Sequence, residues 1–163
     1  MTALQSQASA STCEQSSVIE LYFLGEPAPQ GSKQVTRWGG MREVSKKIEP
    51  WRASVQYACE KQYKGEPIKG PVALDVTFLL PRSKSHFSKA KGKEDQLVPS
   101  APVHHTNMPD VDKLLRGVLD PMTVRCGGNV LIDDSQIVEV RCRKQYAEGD
   151  QCSGALVRVK VMS

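Results

Sequence analysis

The chain has 163 residues, enough for one domain with one modest core, and 39% of them are hydrophobic. Its formal net charge of +4 fits a nucleic-acid partner without requiring one. No run of about 18 apolar residues occurs, which excludes a membrane-spanning helix. The five cysteines are odd in number, widely spaced and without a CxxC pair. They point to reduced thiols in a cytoplasmic protein rather than to a disulfide framework. His104 and His105 adjoin each other, and no ligand pair has zinc spacing.

Residues 1–16 are rich in Ser, Gln, Ala and Thr and lack both the basic start and the apolar middle of a secretory signal. They are expected to form a disordered tail ahead of a domain spanning 17–163. "VIELYFL" (18–24) reads as a strand and runs into the Pro/Gly loop "GEPAPQGS". A basic stretch follows with Lys33, Arg37, Arg42 and Lys46. In residues 50–63, Trp51, Val55 and Ala58 recur at helical spacing behind a proline, which predicts a helix. "GPVALDVTFLL" (70–80) puts Val72, Leu74, Val76 and Phe78 on one face, the period of a strand. Residues 81–101 carry Arg82, Lys84 and Lys89, show no periodicity and read as a long basic loop, either functional or disordered. A central helix is predicted over 110–120, with Pro121 ending it. A glycine turn and one or two strands follow to Tyr146, and 154–162 alternates as a terminal strand. The expected architecture is a single small α+β domain, two main helices on a mixed or mainly antiparallel sheet.

The second helix buries Val111, Leu114, Leu115, Val118 and Met122 and turns Lys113, Arg116 and Asp120 to water. Asp110 lies where the chain is still extended after Met108-Pro109, so it is placed to cap the helix, with Asp112 in the first turn. Taken singly, an Asp-x-Asp at a helix start is often only a cap, and the Asp133-Asp134-Ser135 of "LIDDSQ" often only a turn. Together they form two carboxylate sets flanked by aliphatic residues. Such oxygen donors suit a hard divalent cation, Mg2+ or as an alternative Mn2+, and hence phosphodiester hydrolysis.

"PDVDKLLRGVLD" (109–120) followed by "VLIDDSQIVEVRCRKQY" (130–146) resembles the RusA family of Holliday-junction-resolving endonucleases, common in phages and prophages. "FLGEPAPQGSKQVTRWGG" (23–40) resembles that family's opening, and the likeness runs from about residue 20 to 160. The resemblance implies a homodimeric, Mg2+-dependent enzyme that makes paired nicks across a four-way DNA junction. It implies metal ligands at Asp110, Asp112 and Asp134, with Asp133 a less certain neighbour and Asp120 a structural acid. Where the family's best-known members carry a lysine, this chain has Arg116. An arginine keeps the charge and offers a fork of donors to phosphate, but it does not act as a general acid. Lys113 lies close enough on the wet face to share the role of charge stabilisation.

Residues 30–52 hold six Lys/Arg against two Glu, and 81–95 hold five against two acids. Lys33, Arg37, Arg42, Lys46, Arg82, Lys84, Lys89 and Lys144 are the expected phosphate contacts, and their binding would be salt-sensitive. Trp38 and Phe87 are candidates to stack on or wedge between bases. His86, His104 and His105 are expected as surface residues or phosphate contacts. The competing readings are a nuclease of branched or flapped DNA in general, a non-catalytic DNA-binding protein whose acids only cap and turn, and a structural protein with an acidic helix start.

Overall fold

A computed structural model describes residues 18–31, 33–35, 37–43 and 46–162. The tail expected at 1–16 lies outside the described residues. The described elements are β1 (Val18–Leu24), β2 (Lys33–Val35), β3 (Met41–Glu43), α1 (Ile48–Gln62), β4 (Val72–Leu80), α2 (Val111–Met122), β5 (Ile137–Tyr146) and β6 (Gly154–Val161). Four strands form one sheet in the order β1-β6-β4-β5, and β2 and β3 pair as a separate small antiparallel ribbon. β6 runs antiparallel to both β1 and β4, while β4 and β5 are parallel. This is the expected mixed α+β sheet with two principal helices.

The alternation read from β4 is the reason for the core. Val72, Leu74, Val76, Phe78 and Leu80 are all buried, beside Ala155, Val157 and Val159 of β6 and Leu21 and Phe23 of β1. Both helices cover that face with Trp51, Val55 and Cys59 of α1 and Leu114, Val118 and Met122 of α2. Each fully buried side chain of this size contributes about 1.5–3 kcal/mol relative to exposure. The opposite face is polar, as expected of a sheet covered on one side, and carries the ion pairs Arg158–Glu20 (2.7 Å) and Arg143–Asp75 (2.6 Å).

One expectation changes. Pro121 does not end α2 but sits inside its last turn, and Thr123 closes the helix. A proline removes only one backbone donor there, and Thr123 closes the helix by sending both its N–H (3.0 Å) and its hydroxyl (2.8 Å) to Asp120 O, one of the terminal carbonyls without a helical partner. Ahead of β5 comes a short 3-10 turn, Asp134–Gln136, and of the one or two strands expected up to Tyr146 one forms.

Parallel strands cannot be joined by a tight turn, so the chain returns from the end of β4 to the start of β5 through the 81–109 loop and α2. α2 therefore descends against the strand direction. Its N-terminus lies at the C-terminal ends of β4 and β5, and its C-terminus lies by their starts. Gly117 lets α2 approach the Gly25–Gln30 loop closely, because an added Cβ there would fall 2.5 Å from Ala28 O. Gln30 N–H donates to Lys113 O (2.9 Å), docking that loop beside the first turn of the helix.

Candidate active site

Asp110 takes the N-cap position with extended backbone (φ −71°, ψ 143°), and Asp112 follows in the first turn. The Asp110 carboxylate nevertheless accepts no N–H from that turn. Its Oδ2 lies 2.8 Å from Lys113 Nζ instead. The hydrogen bond and charge of Lys113, with a smaller contribution from Lys144, hold the Asp110 carboxyl below the usual carboxylate range. The same pairing raises Lys113. Both side chains are about half exposed (51% and 41%), so this is a weak surface pair that another cation or a phosphate can reorganise. The helix end adds the positive end of its dipole and N–H groups without a side-chain cap. Arg116 is exposed one turn beyond Asp112, on the same side of the helix. Asp120 lies 3.8 Å from Arg52 of α1, an inter-helix contact that suits the structural part expected of it.

Lys144 holds this corner from below. Its Nζ donates to Asn107 O (2.7 Å) and Pro109 O (2.8 Å), fixing the segment that leads into Asp110. Two residues on, Tyr146 is the centre of an aromatic cluster. The His86 ring meets it edge-on at 5.4 Å, His105 tilts against it at 4.8 Å, and the Arg82 guanidinium lies 4.2 Å over its face. Arg82 also donates to Pro102 O (2.9 Å) and pairs with Glu148 (3.3 Å), with its side chain only 6% exposed. Desolvation first, and the Lys144 charge second, push His105 below its ordinary value. The 81–109 loop is thus clamped onto the end of β5 rather than loose, and an isolated Phe87–Leu97 bridge adds local order.

These contacts add to the sequence reading. Arg82 and Lys144 engage carbonyls, a ring and a carboxylate inside the chain. His86 and His105 are half-buried, each with one side packed on the Tyr146 ring. Arg37, Lys46, Lys84 and Lys89 are exposed as expected, and Trp38 is almost wholly so at 92%. Lys33 and Arg42 lie on β2 and β3, and their side chains fall outside the described residues. Sequence reasoning missed Tyr146 altogether; the available signal was a Tyr two residues beyond Lys144 at the end of a predicted strand.

The second carboxylate set is at the other end of the same strand. Asp133 caps the 3-10 turn: its Oδ1 accepts from Ser135 N–H (3.0 Å), while Gln136 Oε1 accepts the Asp133 N–H (3.0 Å). Ser135 accordingly holds the Asp133 carboxyl below its ordinary value. The Gln136 amide also ties the turn to Ile68 O (2.7 Å) and Gly70 O (2.9 Å), just before β4. Asp134 is exposed beside it. About 18 Å of α2 lies between the first acidic set and this end of the sheet. Seven residues of β5, about 23 Å, separate Ile137 from Lys144. Among the described residues, no group of three or more His, Cys, Asp or Glu is gathered to hold a metal ion. One chain brings Asp110 and Asp112 together and leaves Asp133 and Asp134 at the far end.

The endodeoxyribonuclease RusA family model matches residues 25–160, which includes both acidic sets and the strand between them. The chain belongs to the RusA endodeoxyribonuclease family. It is similar to the crossover junction endodeoxyribonuclease RusA of Aquifex aeolicus, 22% identical over 87% of this chain and 90% of that protein. It is also similar to YqaN of Bacillus subtilis, 31% identical over 80% of this chain and 89% of that protein.

Proposed function

We propose that this chain is a divalent-metal-dependent endodeoxyribonuclease that resolves four-way DNA junctions as a homodimer, cutting with paired nicks. One observation carries the reading. Two exposed carboxylates, Asp110 and Asp112, stand at the electropositive start of α2 with Lys113 and Arg116 on the next turn, at the C-terminal edge of a parallel strand pair. That edge is where open sheets with helical crossovers place their sites.

The donor set is all oxygen, which fits Mg2+ and equally admits Mn2+. Asp110 and Asp112 would hold the ion from one chain, and Asp134 would join them from a second. Asp133, already engaged by its own turn, would support Asp134. When bound, such a cation supplies Lewis-acid stabilisation of the phosphoryl oxygens and lowers the pKa of a coordinated water. With a cation held by Asp110, Lys113 would be free to turn to the phosphate, and Arg116 would offer its fork of donors to the same group. Both place fixed positive charge where negative charge develops at phosphorus. Lys84, Lys89, Arg37 and Lys46 bind the flanking backbone, and the exposed Trp38 stacks on a base. Two-fold symmetry in the dimer matches the two equivalent scissile bonds of a junction.

Asp112→Asn is expected to retain junction binding and to cut at least about a hundredfold more slowly in Mg2+. End-labelled junction arms report the nicks, and wild-type cleavage by this variant would remove Asp112 from the mechanism. The same assay on a flap and on plain duplex separates a resolvase from a general branched-DNA nuclease.

A further inference from the structure

We propose that the groove where the 81–109 loop meets the residues after β5 is a base-reading pocket, which takes one unpaired guanine from the branch of a DNA junction. The proposal deepens the nuclease reading above and rests on it.

The groove has a volume of about 590 Å3, ample for a nucleoside. Phe87 and Leu97, paired by an isolated bridge, give it apolar surface, and Arg82, Asp95, Glu148 and Asp150 give it polar lining. Arg82 is the fixed part. Its guanidinium lies 4.2 Å over Tyr146 and is bound to Pro102 O and to Glu148. Its Nε nevertheless makes no hydrogen bond, in a side chain only 6% exposed. A buried donor left unmet in a lining residue calls for an acceptor that the chain does not supply. Asp95 and Asp150 are exposed and form no ion pair among the described residues.

These charges select the occupant. Ionised carboxylates only accept hydrogen bonds, so the ligand must bring donors, and Asp95, Glu148 and Asp150 together repel a phosphate. Lys84, Lys89, Lys91 and Lys93 are exposed on the same loop and suit the backbone. A basic loop beside an acidic groove sorts a nucleotide into its parts, phosphate outside and base within. Guanine fits the lining best. Its N1–H and N2 amine are adjacent donors that one carboxylate accepts, and its O6 beside them takes the Arg82 Nε–H. Thymine offers a single donor between two carbonyls, which the carboxylates oppose. Phe87 supplies a ring on which the base stacks. A lysine or arginine of a protein partner would also meet the carboxylates, yet it has no acceptor for Arg82 and is repelled by its charge.

The groove lies at the same end of the sheet as Asp110 and Asp112. Ala147, in its lining, bonds to Leu80 O (2.8 Å) and follows closely on Lys144, which holds the Asn107 and Pro109 carbonyls just before Asp110. From Lys144 to Ala147 the extended chain covers about 10 Å. That equals about three base steps of duplex. A base in plain duplex is stacked and paired and does not enter the groove, whereas one freed at a branch does. The pocket thus favours branched DNA and reads a base away from the phosphate that is cut.

Four-way junctions with one unpaired nucleotide about three base steps from the exchange point test this, by fluorescence anisotropy without divalent metal. Unpaired guanine is expected to bind about tenfold tighter than unpaired thymine. Asp95→Asn and Asp150→Asn combined in one chain are expected to abolish that ratio while binding the fully paired junction no more weakly. Phe87→Leu is expected to weaken binding of every unpaired base about fivefold and to spare the fully paired junction. Equal affinity for the unpaired bases, or a ratio that survives the double variant, would overturn the pocket and leave the nuclease reading standing. No affinity for any junction would overturn both.

Discussion

The two borders of the sheet are treated differently. At β1 the Gln62 side chain of α1 imitates a neighbouring strand: its Oε1 accepts the Tyr22 N–H (2.9 Å) and its Nε2 donates to Tyr22 O (2.6 Å). The Tyr22 hydroxyl then reaches Cys152 O (3.1 Å). At β5 nothing comparable occurs among the described residues, and both valines and both signs of charge face outward. One edge is occupied by its own chain and the other is left available, although the two belong to one sheet and one core. Protection of a strand edge is therefore a local device, and its absence at β5 coincides with the strand that links the two acidic sets.

Three perturbations probe that contrast. The largest effect is expected where β5 is anchored from the inside. Tyr146 is 5% exposed and receives Arg82, His86 and His105, so Tyr146→Ala should lower stability by about 3 kcal/mol in a denaturant titration. It should also loosen the 81–109 loop, read as faster amide exchange in that segment. If stability is unchanged, the cluster does not hold the strand end.

A smaller effect is expected at the opposite border. Gln62→Ala removes both bonds to Tyr22 and should reduce stability by about 1 kcal/mol. It should also make the β1 edge self-associate with rising concentration, seen by light scattering. If the variant scatters no more than the wild type, the Gln62 clamp is not what closes that edge.

The smallest effect is expected from pH. His105 is held below the ordinary histidine value of 6.5, mainly by desolvation and next by Lys144. As pH falls through 6.5, the unfolded chain takes up this proton before the folded chain does. Folded stability is thus lost on the acid side and is fully present above it. The melting temperature should drop below pH 6.5, and His105→Gln should flatten that part of the curve.

Much of the fold was legible because it is written in local periods. The alternation at 72–80 and 154–162 and the helical spacing of Trp51, Val55 and Ala58 each describe one element meeting one core. The acidic sets were legible for the same reason, as short clusters beside apolar runs. The intramolecular partners of Lys144 and Arg82 were not legible because they lie 20 or more residues away along the chain. A basic residue that faces inward has the same letter as one that faces DNA. Pro121 was misjudged by its average effect, whereas in the last turn of α2 it costs a single backbone donor.

By itself, the sequence determined which residues are apolar on which face, where helices and strands run, and that oxygen donors flank α2 and β5. It left the spatial relation between Asp110 and Asp134 open. The parallel pairing of β4 and β5 decided that relation, because a helix returning between parallel strands must begin at one end of the sheet and release the chain at the other. Sequence spacing measures distance along the chain, and a crossover of this kind turns neighbouring motifs into opposite ends of one molecule.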